Sequence, residues 1–298
     1  MTVAAVDIGT NSVRLLVLDE TGRELERIVK VVGLGRGVDR SGSLSEDAMD
    51  RTVEVLGEFG RRTRLLDASR VRVVATSASR DAANSELFLD RAETALGVRP
   101  EVISGVEEAR LTFAGAVGSV EDAGPYVVID IGGGSTEFAF GDTGVDYSRS
   151  VDIGSVRLTE RAVRSRPAPE RIVDEGRAIV DRLFEDVHLP SSPNSVIGVA
   201  GTFTSLAAIV LGLEQYDRSR VHLARLHAPD LASVIDRLRR LSIPETAAIP
   251  ALDPARAPVL LAGAIVAERA LARVGVDSLV ISEHDLLDAA AESLLPEP

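Results

Sequence analysis

VAAVDIGTNSVRLLVLD (residues 3–19) and YVVIDIGGGSTEFAFGD (residues 126–142) are two copies of one pattern. Each is a short β-branched apolar run that ends in Asp, then a glycine-containing turn, then a second apolar run. That reads as strand, tight turn and returning strand. Asp7 and Asp130 lie 123 residues apart, as do Gly9 and Gly132. A repeat that includes the turn, and not only generic strand residues, points to two similar domains.

Outward from each hairpin the two halves continue alike. A third strand is expected near 23–32 and near 145–153. In the first half, Ala48, Met49, Thr52, Leu56 and Phe59 give helical periodicity over 45–66, and Ser45 is placed to cap it. VRVVAT (71–76) reads as a buried strand, 85–96 as a helix, EVI (101–103) as a short strand and 106–118 as a helix. In the second half, 155–163, 169–187, 202–212, 229–241, 255–273 and 284–294 read as helices. SVIGVA (195–200) and SLVI (278–281) read as strands. Each half is thus β-β-β-α-β-α-β-α, with right-handed crossovers after an antiparallel trio. The expected fold is α/β, with two actin-like (ribonuclease H-like) ATPase-type domains and ligand in an interdomain cleft. Acidic residues and Gly in VEDAG (120–124) put the expected boundary between domains 1–122 and 123–298.

Composition narrows the chemistry. The hydrophobic fraction is 45% and the charged fraction 27%, within the range of globular chains, and there is no cysteine, which removes disulfides, thiolate metal sites and cysteine nucleophiles. No apolar run approaches the length of a membrane span, and TVAAVDIG at the start carries no signal-peptide pattern. No membrane association and a cytoplasmic location are expected. The net charge of −13 argues against nucleic acid as a partner, but not against a small polyanion met by a local cluster of donors.

Such donors cluster at the strand ends. In DIGTNSVR, Asp7 and Gly9 shape a turn whose backbone N–H groups, with Thr10, Asn11 and Ser12, make an anion-binding nest. Arg14 on the returning strand either clamps phosphate or faces solvent. In DIGGGSTE, Gly132, Gly133, Gly134 and Ser135 make a second and richer nest. Three glycines exceed what a two-residue turn needs. Asp130 and Glu137 flank that loop, and two carboxylates beside phosphate suit Mg²⁺, or Mn²⁺. ATSASR ends a buried strand at Thr76 and Ser77 and leads to Arg80, a phosphate clamp or a surface charge. Gly201 and Thr202 occupy the equivalent corner of the second half. Arg220, His222, Arg225 and Arg256 are further contacts for an extended anion, or surface charges. Glu107 and Glu108 open a helix, where the dipole alone favours acids; either could act as general base. Gly33 to Gly37 is glycine-rich, but nothing after it reads as a helix start, so it is not a Rossmann or Walker loop.

DIGTNSVRLLV, ATSASRDAAN, ISGVEEARL, VVIDIGGGSTEFAFG and GVAGTFTSLAA occur in that order across nearly the whole chain. Together they resemble the exopolyphosphatase and guanosine pentaphosphate phosphohydrolase (Ppx/GppA) family. The resemblance implies hydrolysis of terminal phosphate from inorganic polyphosphate, with guanosine polyphosphate (pppGpp) as a related substrate. It implies Glu108, not Glu107, as the catalytic base, and Asp130 and Glu137 as metal-linked carboxylates. Arg80, Asn11, Gly132, Gly133, Gly134 and Ser135 match its phosphate-binding groups. Thr10 stands where Ser is usual. Long members carry an additional helical region. This chain resembles the short class, which implies a preference for short polyphosphate, unless a homodimer builds a channel for longer chains. An actin-fold kinase and a non-catalytic polyphosphate or alarmone sensor are the alternatives.

Overall fold

The computed structural model describes residues 1–296 and divides into two compact units. One unit holds residues 1–111 together with the segment from Leu286 onward, and the other holds Thr112–Asp285.

The first unit begins with β1 (Thr2–Ile8), β2 (Ser12–Leu18) and β3 (Glu24–Val31), an antiparallel meander. A one-turn helix α1 (Val38–Ser41) and the long α2 (Glu46–Leu65) follow. Ser45 caps α2, its side chain accepting from Ala48 N–H, and the acids at 46 and 47 suit the positive helix end. Then come β4 (Ala68–Ala75), α3 (Ser77–Asp81), α4 (Ser85–Leu96), β5 (Glu101–Val102) and α5 (Gly105–Val117). The sheet order is β3-β2-β1-β4-β5, with β4 and β5 parallel to β1.

In β1, the strand next to both β2 and β4, nearly every side chain is buried, because both faces are covered. Alternation sorts them. Ala4, Val6 and Ile8 join Val13, Leu15, Leu56 and Phe59 in one core. Val3 and Ala5 join Leu16, Leu18 and residues of the last helix in another.

The second unit repeats the plan with β6 (Tyr126–Ile131), β7 (Thr136–Gly141) and β8 (Val145–Val151), then α6 (Ser155–Arg161) and α7 (Glu170–Phe184). It continues through β9 (Ser195–Val199), α8 (Ala200–Val210), α9 (Arg218–Val221), β10 (Arg225–His227), α10 (Ala228–Arg240), α11 (Ile243–Ala247) and α12 (Ala257–Val274), and ends in β11 (Ser278–Ile281). Its sheet runs β10-β11-β9-β6-β7-β8. The shared order, an antiparallel trio continued by parallel strands, is that of two actin-like α/β domains.

Two features depart from the sequence expectation. RVHLARL supplies an edge strand, β10, antiparallel to β11; three residues are too short for a period to show. The expected division at 122/123 also differs from the contacts. The break falls inside α5, after Leu111, and the last helix α13 (Leu286–Glu292) belongs to the first unit. Leu287, Ala290 and Ala291 of α13 cover the second face of the first sheet against Val3, Ala5, Leu16 and Leu18. Asp288, 4% exposed, takes the Arg27 guanidinium at 2.5 Å. Sequence distance hides this packing, since α13 follows β11 directly. Ahead of α13, the Ser282 hydroxyl accepts from His284 N–H at 3.0 Å and closes a turn.

Leu287→Ala should therefore destabilise the first unit by about 2–5 kcal/mol, the usual cost of emptying a well-packed leucine site. Hydrogen exchange would check it. Protection should fall in β1 and β2 and persist in β6 and β7; a loss confined to the second unit would contradict the placement of α13.

Candidate active site

The first nest is a closed turn. Gly9 N–H donates to Ser12 O at 2.9 Å. Asn11 O accepts from Val32 and Gly33 N–H, and Thr10 O accepts from Gly35 N–H at 2.8 Å. The glycine-rich 33–37 segment thus buttresses the turn, and a one-turn helix does follow it. A Cβ on Gly35 would lie 2.3 Å from Thr10 Cγ2, so only glycine lets the segment approach. Thr10 and Asn11 are buried, and Asn11 Oδ1 has no hydrogen-bond partner among the described residues. A buried amide oxygen left in this state marks a place where a ligand, ion or water completes the bonding. Ser12 opens β2 and is partly exposed.

Asp7 and Arg14 are directly opposite across the β1–β2 hairpin. Arg14 Nε and Nη2 both donate to Asp7 Oδ2 at 2.8 Å. Of the two roles open to Arg14, the outward-facing one is not adopted.

The ends of β4 and β5 bring the other groups of this unit together. Thr76 N–H donates to Ile8 O at 3.1 Å, fixing the corner to β1. Ser77 Oγ reaches Asp81 at 3.4 Å. Ser79, on α3, is buried with its Oγ unpartnered among the described residues; no pattern in the sequence marks it. Arg80 Nη1 donates to Ile103 O at 2.8 Å and to Glu108 Oε2 at 3.2 Å. Glu108 is 7% exposed, and its neighbour Glu107 is partly exposed. Ser104 opens α5, its Oγ accepting from Glu107 N–H and its carbonyl from Glu108 N–H. Glu107 therefore occupies an ordinary helix-start position, while Glu108 is turned inward to an arginine.

In the second unit Gly132 N–H donates to Ser135 O at 3.1 Å, repeating the Gly9–Ser12 closure. The carbonyls are turned to α6. Gly132 O accepts from Ser155 N–H, and Gly133 O accepts from Val156 and Arg157 N–H. A Cβ on Gly154 would sit 2.6 Å from the backbone of both Gly132 and Gly133, so a distant glycine that the sequence does not flag sets the loop position. Gly134 lies between these residues and buried Ser135. Arg157, also unflagged, is 8% exposed on α6.

Asp130 and Glu137 are a directly opposed pair across β6–β7. Both are buried. Asp130 accepts from Thr112 Oγ1 at 3.4 Å and Glu137 from Ser150 Oγ at 2.7 Å. Like charges directly opposite on neighbouring strands repel. The equivalent pair in the first unit, Asp7 and Arg14, is neutral overall, and Glu137 stands 123 residues after Arg14 as Asp130 does after Asp7. The donor set fits a hard divalent cation, for which few protein oxygens plus water and substrate suffice. Among the described residues no group of three or more acids or histidines is gathered for a metal.

At the β9–α8 corner, Ala200 has φ 68°, a left-handed conformation that costs a non-glycine residue on the order of 1–3 kcal/mol. Thr202 Oγ1 donates to Ile131 O at 3.0 Å, tying the corner to β6. The Arg256 guanidinium lies over Gly201, where a Cβ would come within 1.9 Å of it. Arg225 pairs with exposed Asp122 at 3.5 Å, and His222 accepts from Glu283 N–H, so these two serve the edge of the sheet.

Comparison with known proteins identifies the family. The pattern of the Ppx/GppA phosphatase family matches residues 18–289. Exopolyphosphatase 2 of Mycobacterium tuberculosis is 40% identical, the match covering 98% of each chain. An exopolyphosphatase-like protein of known crystal structure superposes with a TM-score of 0.92 at 39% identity, over 97% of both chains. An exopolyphosphatase from Cytophaga hutchinsonii gives 0.88 at 28% identity, over 97% of this chain and 96% of that one. With its match running from the first hairpin to the last helix, the chain belongs to the Ppx/GppA phosphatase family.

Proposed function

We propose that this chain is an exopolyphosphatase that hydrolyses the terminal phosphoanhydride of inorganic polyphosphate. The observation that carries the reading is Glu108. It is a buried carboxylate at a helix start, braced by an arginine that belongs to a cluster of small hydroxyl residues at strand ends. The relatives' names support the substrate.

In this reading Glu108 orients a water and takes its proton as the water oxygen bonds to the terminal phosphorus. The bridging P–O bond breaks in line, and the shortened polyphosphate leaves. Arg80 donates to Glu108 through Nη1 alone, and the rest of its fork suits phosphate oxygens. The backbone N–H groups of the Gly9–Ser12 and Gly132–Ser135 turns other than those of Gly9 and Gly132, which close the turns, would with Thr10, Asn11, Thr76, Ser77, Gly133, Gly134, Gly201 and Thr202 be the further phosphate-binding groups. Asp130 and Glu137 would hold Mg²⁺ or Mn²⁺, whose charge would offset that of the phosphate.

Phosphate release with Mg²⁺ from short polyphosphate, long polyphosphate, pppGpp and ATP tests the proposal. Release from polyphosphate is expected; transfer from ATP to an added acceptor, or tight binding without release, would replace it with a kinase or a sensor. Glu108→Gln should lower turnover by about 10²–10⁴-fold, the usual contribution of a positioned base, with binding retained. Glu107→Gln should leave turnover nearly intact and cost about 0.3–1 kcal/mol of stability at most. Wild-type turnover in Glu108→Gln would remove the assignment.

Exhaustive chelation should abolish phosphate release, and Mg²⁺ or Mn²⁺ should restore it. Full activity in the chelated enzyme would exclude the role given to Asp130 and Glu137.

Gly154→Ala pushes on the backbone of Gly132 and Gly133 without dihedral strain, since φ is −149°. Turnover should fall on the order of 10–100-fold through misplacement of the loop, because small displacements at a reacting centre are costly. Overpacking should also cost about 1–3 kcal/mol. A variant that is destabilised but fully active would show that the loop does not position substrate.

A further inference from the structure

Helical threonines commonly return their hydroxyl proton to the carbonyl four residues back. Thr52, Thr94, Thr159 and Thr246 in this chain do so, at 2.7–2.9 Å from Ala48, Asp90, Ser155 and Ser242. Thr112 behaves differently. It is 1% exposed, on α5, and its Oγ1 donates to Asp130 Oδ2. The residue four back from Thr112 is Glu108, on the same helix face one turn earlier.

We infer that Thr112 is a positioning residue for the cation site: its hydroxyl orients the Asp130 carboxylate for metal binding. The inference rests on the reading of Asp130 as a metal ligand. Its physical basis is that a carboxylate held in one rotamer by a buried donor binds metal without first giving up side-chain freedom. Loss of such an outer donor typically weakens metal binding about 10–100-fold. The 3.4 Å separation is longer than the usual O–H···O hydrogen bond, so the hydroxyl steers the carboxylate by a weak contact inside a buried site.

The test is Mn²⁺ binding to the intact chain without substrate, read from the electron paramagnetic resonance of free Mn²⁺, for wild type, Thr112→Val, Thr112→Ser and Asp130→Asn. Valine keeps the branched shape and removes the donor; serine keeps the donor. Thr112→Val should raise the Mn²⁺ dissociation constant about 10–100-fold. The Mg²⁺ concentration for half-maximal phosphate release should rise in parallel, and Thr112→Ser should return both towards wild type. If Thr112→Val does not fold, Thr112→Ala, which keeps helix propensity, takes its place. Wild-type Mn²⁺ affinity in Thr112→Val or Thr112→Ala, with binding lost in Asp130→Asn, would overturn the role of Thr112 and leave the metal reading standing. Unchanged binding in Asp130→Asn, or no Mn²⁺ binding by wild type, would overturn the metal reading and this inference with it. Failure of serine to restore binding would assign Thr112 to packing alone.

Discussion

Two buried carboxylates directly opposite each other on neighbouring strands are the constraint around which the second unit is arranged. At a cross-strand separation of about 5 Å, two full charges repel by roughly 3 kcal/mol at an effective dielectric constant near 20. A protein keeps such a pair only if something offsets the repulsion. In the first unit the same hairpin position solves the problem internally, with Arg14 folded onto Asp7. In the second unit the position of that arginine is taken by Glu137, and the hydroxyls of Thr112 and Ser150 supply neutral hydrogen bonds to the pair. The duplicated hairpin thus has one copy that sets an acid against a base and one that sets two acids side by side.

The scaffold serves that arrangement by keeping loops short and braced from behind. Central strands buried on both faces fix where Asp7 and Asp130 emerge. The loop backbones are then held by carbonyl contacts to other segments: the Gly33–Gly35 stretch behind Thr10 and Asn11, and the start of α6 behind Gly132 and Gly133. The loop carbonyls are thereby spent on the scaffold, and the Gly9 and Gly132 amides on closing the turns. The glycines at 35 and 154 matter for closeness of approach, since a Cβ at either would overlap the loop it supports.

Much of this was legible in the sequence because the signals are local. The hairpin repeat, the strand runs at 71–76, 195–200 and 278–281 and the helix at 85–96 all appear where periodicity places them. So does the gathering of hydroxyl and glycine residues at strand ends, since alternation and turn chemistry are read within a few residues. What was not legible depends on contacts between remote segments. Nothing near Leu287 says that it packs on Val3, and nothing near Gly154 says that it abuts Gly132. The edge strand β10 is too short to carry a period, and α5 reads as one helix although the division between units passes through it. For Arg14 the sequence left two orientations open, and only the Asp7 contact decides between them.

The placement of Arg80 explains how one arginine can brace a buried carboxylate with a single nitrogen. Burying Glu108 is costly unless a charge or donor stands beside it, and Arg80 Nη1 supplies both at 3.2 Å while also donating to Ile103 O. A guanidinium has five N–H donors in a rigid fork. Both of these bonds come from one nitrogen, so the rest of the fork takes no part in holding the glutamate. A lysine could not divide itself this way, because its three donors radiate from one compact, strongly hydrated point. The burial of Glu108 by itself therefore gives a physical reason for arginine at position 80, and the Ile103 carbonyl holds the same nitrogen in place.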